Sequence, residues 1–333
     1  MNLRQIFKNF VLPSFAVIAL WRFYQGFSLQ ELIDGIKNCN LSWIILATLV
    51  HLINHLLRGY RWKVLIMLQK NYSVSTLNCF LAEMTGFFTN VAMPRIGDWT
   101  RCTTLERLNN VPIKETLPSV IVERTIDIFV FSLALTATLV ASLFFKDKNV
   151  QSLFSENFQT ISNASIFSFM TFVKAGLLVV LVGGGLILLY RVFKAQFQVF
   201  FDFCFGIFRS TKEVLLRINL ATWLLTLLIW GSYFLVEYIS CFALEATSDL
   251  GFFPIFCIFI VINLGMAIPL PANIGAYHIL MSTALAAFNV PKEPAVIYVT
   301  LTHGIQVFNA MVVGGGCAFV SWLKNRRVPV ERS

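Results

Sequence analysis

Seven ionisable side chains stand inside or beside long apolar runs: Glu83, Arg95, Asp98, Arg101, Glu123, Arg124 and Asp127. A charge at the centre of an apolar slab costs at least about 2.5–3.5 kcal/mol, so such residues pair with one another and often mark a pathway. Arg95, Asp98 and Arg101 flank a break in the string Ala92-Met93-Pro94-Arg95-Ile96-Gly97-Asp98-Trp99, where Pro94 and Gly97 end one helix and let another begin. A helix start presents unpaired N–H groups and a partial positive charge, which suits an anion. Two arginines beside it add fork-shaped donors that match a phosphate. A plain structural reading stands next to this one: Asp98 caps the helix, Arg101 pairs with it, and both arginines mark a cytoplasmic end.

Glu123, Arg124 and Asp127 lie three and four residues apart and share a helical neighbourhood. With Glu83, which falls mid-run, they would line or gate a polar cavity, and Glu83 could carry a coupling proton. The span Ile128–Phe145 is 18 residues long, nearly enough to cross a bilayer alone, so an interfacial salt bridge fits the 123–127 cluster as well. Glu237 reads as interfacial, near the outer end of its helix. Arg58 and Arg61-Trp62 read as interfacial anchors. His51 and His55 have the i,i+4 spacing of a metal pair but no evident third ligand, so interhelical hydrogen bonding is expected and no metal or other cofactor is assigned. There is no GxxxxGK[ST] loop, GxSxG elbow or dinucleotide fingerprint, so neither an ATP-driven pump nor a catalytic residue is indicated.

These residues need elements to hold them. The chain has 333 residues, 57% hydrophobic and 13% charged, with a mean hydropathy of +0.73, which describes a polytopic membrane protein. Apolar runs predict helices over 5–25, 41–60, 74–93, 97–110, 117–145, 166–190, 220–243, 252–270, 274–289 and 295–322, forming one integral membrane domain over 1–333. The first of these reads as an uncleaved anchor. Residues 146–165 read as an external loop, and 191–219 as an amphipathic cytoplasmic interfacial segment or a helix docked on the bundle. Gly183-Gly184-Gly185 and Gly314-Gly315-Gly316 suit close helix packing. Seven scattered cysteines without a CxxC argue against a disulfide framework and a zinc site. The net charge of +9 fits basic cytoplasmic loops rather than nucleic acid.

The broken hairpin occurs twice. Its second copy has Pro269 and Pro271, then Gly275, and runs on to Asn289-Val290-Pro291, as the first runs on to Asn110-Val111-Pro112. Paired interruptions of this kind point to a substrate site at a repeat interface. Aligning the two Asn-Val-Pro strings sets His303 opposite Arg124. The loop charges place both termini in the cytoplasm of a cell-membrane protein. They also make the repeat cores, 74–145 and 252–322, enter from opposite faces. The expected fold is therefore an all-α polytopic transmembrane bundle with two broken, re-entrant-like hairpins in inverted repeat.

Arg58-Gly-Tyr-Arg61-Trp62, Asn90-Val-Ala-Met-Pro94-Arg95-Ile-Gly97-Asp98-Trp-Thr-Arg101, Glu123-Arg124-Thr-Ile-Asp127 and Pro269-Leu-Pro271-Ala-Asn-Ile-Gly275, taken in order, resemble the flippase-like transmembrane region of lysylphosphatidylglycerol synthases. The family has Glu where Asp98 stands, a glycine-richer second motif, and often an acidic residue where His278 stands. The resemblance implies a membrane bundle that moves a phospholipid or lipid-linked headgroup between leaflets. It also implies a stand-alone member without the soluble aminoacyltransferase, so that any lipid-modifying enzyme is a separate partner. The alternatives are an intramembrane transferase or hydrolase on a lipid-linked substrate, with Glu83 or Asp127 as base, and an ion-coupled secondary transporter.

Overall fold

A computed structural model describes residues 18, 20–69, 72–145, 194–266 and 271–326. All regular structure among them is helical. The elements are α1 (Leu29–Asn38), α2 (Leu41–Met67), α3 (Thr76–Ala92), α4 (Gly97–Asn109), α5 (Ile113–Phe145), α6 (Lys194–Leu216) and α7 (Leu220–Cys241). They continue with α8 (Phe252–Met266), α9 (Ala276–Ala287), α10 (Lys292–Phe308) and α11 (Gly314–Arg326). A one-turn helix, Glu245–Ser248, joins α7 to α8. The expected anchor over 5–25, the external loop 146–165, the 166–190 helix, Gly183–Gly185 and Pro269 lie wholly or mostly outside the described residues. Among the described residues three helical stretches are long and apolar enough to cross a membrane: Leu41–Met67, Leu220–Cys241 and Lys292–Arg326.

Several boundaries differ from expectation for identifiable reasons. α1 was not anticipated, yet it starts on a capping box: Ser28 Oγ accepts from the Glu31 amide at 3.1 Å, and Glu31 Oε2 accepts from the Ser28 amide at 2.6 Å. α2 runs seven residues past the predicted end at 60, because Arg58, Arg61 and Trp62 are buried inside the bundle instead of anchoring an interface. α5 begins four residues before the predicted start and takes Pro118 into its body. The last span carries a π-helical turn, Asn309–Val313, between α10 and α11. Such a turn adds a residue to the helical circuit and re-aims one side chain. Here it carries the buried Asn309, whose amide nitrogen lies 2.8 Å from His51 Nδ1 on α2, the interhelical contact expected of that histidine.

Both breaks are real in the backbone. Between α3 and α4 the chain turns through Met93–Ile96 with Arg95 at φ 68°, and the Gly97 amide donates to Asn90 Oδ1 at 2.7 Å. Asp98 therefore sits within the first turn and does not cap it; Ile96 holds the N-cap position with no side-chain bond. Between α8 and α9 a 3₁₀ turn over Pro271–Asn273 places Ala272 and Asn273 in the left-handed region, and Gly275 follows at φ 90°. Past each hairpin an asparagine, Asn110 or Asn289, takes a left-handed φ of 54° or 62° before its Val-Pro pair starts the next helix. Asparagine tolerates that conformation better than other non-glycine residues.

Two apolar cores flank the charged groups. One packs Trp62, Ile66, Cys79, Cys102, Leu105 and Val120 around α2–α5. The other packs Cys241, Ile255, Ile258, Tyr277, Met281 and Val299 around α7–α10. α6 is docked on α5, with Val214 buried against Leu65, Val122 and Ile126, while Phe205 and Phe208 remain exposed. α3 and α4 approach at glycines: a Cβ on Gly86 would stand 2.7 Å from the Gly97 carbonyl oxygen. Gly314 does the same for α11 on α3, with its Cβ position 2.8 Å from the Met84 oxygen, whereas Gly316 faces open space. Gly86→Ala is expected to cost about 1–3 kcal/mol as overpacking against backbone. In detergent-solubilised protein it should lower the thermal unfolding midpoint, whereas Gly231→Ala, with nothing within 4 Å, should stay within about 0.5 kcal/mol of the parent.

Candidate functional site

Four helices bring charged side chains to one buried place. α2 presents Arg58 and Arg61, α3 Glu83, α4 Arg101, and α5 Glu123 and Asp127. Arg58 Nε donates to Glu83 Oε1 at 2.9 Å and its Nη2 lies 2.7 Å from the same oxygen; Nη2 also reaches Glu123 Oε1 at 3.3 Å. Arg101 bridges the same two carboxylates. Its Nη1 donates to Glu83 Oε2, and its two terminal nitrogens approach Glu123 at 3.3 Å. Arg61 grips Asp127 with two parallel bonds of 2.7 and 2.9 Å and stands 3.6 Å from Glu123. Bidentate geometry of this kind is the stronger form of the arginine–carboxylate pair.

Helix α7 completes the shell from the far side. Tyr233 accepts from Arg58 Nη1 at 3.1 Å, Thr226 from Arg61 Nη1 at 3.1 Å, and Trp230 Nε1 donates to Asp127 at 3.3 Å. Rings cover the guanidinium planes: Arg101 lies 4.8 Å from the Trp62 ring centroid and Arg58 5.1 Å from that of Phe87. The Trp62 side chain is itself fixed by its bond to Ser119 Oγ at 2.9 Å. Burial is deepest at Glu123, with 0% exposure, and at Arg101, with 2%, while the Asp127 side chain keeps 15%. Three arginines face three carboxylates, so the cluster carries no net formal charge. Two buried nitrogens, Arg61 Nε and Arg101 Nε, have no partner.

A second, half-exposed pair lies next to it. Arg124 Nη2 donates to Asp98 Oδ1 at 2.8 Å, and Arg101 Nη2 lies 3.4 Å from the same oxygen. The side chains of Arg124 and Asp98 are 44% and 38% exposed. Arg101 thus links the buried cluster to the first break. Arg124 points away from the buried cluster to Asp98 on α4, while Glu123 lies between Arg101 of α4 and the two arginines of α2, and Asp127 pairs with Arg61 of α2.

The candidate residues read from sequence therefore divide. Glu83, Arg101, Glu123 and Asp127 converge on the cluster, Asp98 and Arg124 form its exposed neighbour, and Arg95 sits in the turn at the break. Arg58 and Arg61, whose positions suggest interfacial anchors, are buried and central to the cluster. Their spacing from His51, Asn54 and His55 held the clue, since all lie on the buried side of one helix. Glu237 likewise is buried in the bundle. No group of three or more His, Cys, Asp or Glu among the described residues could hold a metal ion.

A family model described as the lysylphosphatidylglycerol synthase TM region matches residues 9–314. A UPF0104 membrane protein of Methanocaldococcus jannaschii is 26% identical over 130 residues, which is 38% of this chain and 38% of that relative. No solved structure matches.

Removing one partner from a buried ion network costs about 3–5 kcal/mol, because the remaining charge is left uncompensated. Glu83→Gln and Arg101→Gln are each expected to lower unfolding stability by about that amount. The double variant should be less destabilised than the sum of the two, as a thermodynamic cycle on the purified protein will read.

Proposed function

The chain belongs to the lysylphosphatidylglycerol synthase TM-region family, and from that premise we propose that it moves a phospholipid or lipid-linked headgroup between the leaflets of its membrane. The observation that carries the reading is the charge-balanced cluster of Arg58, Arg61, Arg101, Glu83, Glu123 and Asp127 beside a broken helix in an apolar bundle. A fold that needed only stability would gain as much from apolar side chains at these positions. Exchange of partners gives the cluster a use. A phosphate approaching Arg101 replaces a carboxylate oxygen with another anionic oxygen, so the guanidinium is never left unpaired. The carboxylate released in that exchange accepts a cation. A headgroup that carries both a phosphate and an amine leaves the cluster neutral, whereas a purely anionic one adds a buried charge. The half-exposed Asp98–Arg124 pair stands where the headgroup would first meet the protein. An apolar groove of about 500 Å³ between α1, α2 and α10, lined by Ile36, Ile45, Leu49, Leu301 and Phe308, suits acyl chains.

The reading includes opposed hairpins. With the loop charges as guide, the end of the first hairpin faces the cytoplasm and the end of the second faces outward. The exposed residues Arg107 and Glu293 mark those ends. In a background lacking reactive native thiols, Arg107→Cys should react with a membrane-impermeant maleimide only from the cytoplasmic side and Glu293→Cys only from outside. Labelling of both from one side would remove the inverted repeat.

Function itself is tested in vesicles holding the purified protein and fluorescent lipids, by following loss of outer-leaflet signal to a quencher. Wild-type protein should accelerate exchange of a zwitterionic phospholipid more than that of an anionic one, and Arg101→Gln should reduce the acceleration at least tenfold. Exchange no faster than in protein-free vesicles, for every headgroup tried under several ion gradients, would sink the reading.

A further inference from the structure

The second half of the bundle contains a carboxyl that the charged cluster does not use. Glu237, on α7, is buried among α9 and α10, and no basic side chain among the described residues forms an ion pair with it. Its near neighbours are hydroxyls. Glu237 Oε1 lies 3.4 Å from the Tyr277 hydroxyl and Oε2 3.5 Å from the Tyr298 hydroxyl.

Each of those hydroxyls has one proton and a shorter bond on which to use it. Tyr277 stands 3.0 Å from Thr302 Oγ1, which in turn donates to the Tyr298 carbonyl oxygen at 3.0 Å. Tyr298 donates to the Glu237 backbone carbonyl at 2.9 Å, and Cys241 Sγ donates to the Tyr298 oxygen at 3.3 Å. Each phenol proton is therefore shared between a shorter bond and a long one to the carboxyl, which has no other donor than these two hydroxyls among the described contacts. Two long, shared donors and no cation balance a buried carboxylate poorly, which favours a proton on Glu237.

On the other sides the contacts are apolar, while one turn away on α7 Tyr233 accepts from Arg58 Nη1 at 3.1 Å and lies 6.3 Å from the His51 ring of α2. α2 contributes Ala47 with the partly buried Ile44 and Val50, packed on Val236 and Ile239, and α8 contributes Ile255, Ile258, Val261 and Ile262. α5 meets α7 two turns away, where Asp127 is held by Arg61 and Trp230. Behind Tyr277 stand two imidazoles: His303 at 5.2 Å between ring centroids, and His278, 4.6 Å from His303. His303 Nε2 lies 2.9 Å from the carbonyl oxygen of Ala272, in the second break. His278 Nδ1 is buried without a partner.

We propose that Glu237 is an exchangeable proton site, and that gain and loss of its proton set how α9, with the break that starts it, packs on α7 and α10. On release the carboxyl O–H bond breaks, the carboxylate keeps the electron pair, and the proton passes to water admitted beside α9. An ionised carboxylate facing only neutral hydroxyls in an apolar pocket is costly. That cost favours the rearrangement that lets water or an imidazolium reach it. Tyr277 is the second residue of α9 and His303 touches the break, so the motion is transmitted to Ala272–Gly275. The site lies on α7 against the hairpin that lacks charged residues, away from the arginine cluster of the first half. The proposal extends the translocase reading, but its primary test does not depend on it.

Infrared difference spectra of the purified full chain, recorded through a pH series, read the site directly. A protonated-carboxyl stretching band that comes and goes with pH is expected in wild type, absent in Glu237→Gln and shifted in Tyr277→Phe and Tyr298→Phe. If Glu237→Gln does not fold, the two tyrosine variants still decide, because an unshifted band in both contradicts the assignment. A band identical in Glu237→Gln, or one indifferent to pH, overturns the proposal. In vesicles, Glu237→Gln should flatten the dependence of lipid exchange on an imposed proton gradient. Absence of exchange in wild type would count against translocation while leaving the spectroscopic result standing.

Discussion

Three guanidinium groups and three carboxylates held almost out of reach of solvent are the constraint on which this bundle rests. None of these charges is tolerable alone at that depth, so α2, α3, α4 and α5 must meet with their partners in register. Arg58 and Arg101 share Glu83 and Glu123, which ties α2 and α4 to each other through α3 and α5. Arg61 and Asp127 add the clamp between α2 and α5, and α7 closes it with Thr226, Trp230 and Tyr233. The glycine contacts between α3 and α4, and between α3 and α11, bring the backbones close enough for these side chains to reach.

The two breaks do different work in this arrangement. At the first, the chain turns through Arg95 and starts α4 so that Asp98 and Arg101 lie one helical turn apart, one half-exposed and one buried. On the proposed reading, that gradient of exposure along a single helix is the route by which a solvent-borne anion would enter by exchange. At the second, the backbone runs through left-handed Ala272 and Asn273, and the groups around it are histidine, tyrosine and a single carboxyl. The 3₁₀ turn also packs against α3, so the breaks are mechanically connected through the helix that carries Glu83.

Much of this was legible in the residues. The apolar runs located α2, α3, α4, α7, α8, α9 and α10 to within several residues, and the Pro/Gly punctuation located both breaks. The matching Asn-Val-Pro strings, read as marks of a repeat, each carry a left-handed asparagine at a helix end. Misplacements arose where an interface rule met a buried partner. Arg58 and Arg61 look like the basic end of a span until their carboxylates on α3 and α5 are known, and those are 25 and 66 residues away for the Arg58–Glu83 and Arg61–Asp127 bonds. Glu237 was misjudged in the same manner, since its neighbours Tyr277 and Tyr298 come from distant helices. α1 shows the opposite fault: Ser28 and Glu31 spell a capping box, but its mixed polarity hid it between longer apolar runs. Long-range pairing was thus the missing information, whereas local punctuation was sufficient where it applied.

The central claim is that a lipid phosphate takes its place among the buried arginines. Solid-state magnetic resonance on nitrogen-labelled arginine in vesicles measures this through couplings between guanidinium nitrogen and lipid phosphorus. A phosphorus contact to a buried arginine, lost in Arg101→Lys, is the predicted result. Guanidinium nitrogens that couple only to carboxylate carbons, with phosphorus contacts confined to surface arginines, would contradict it.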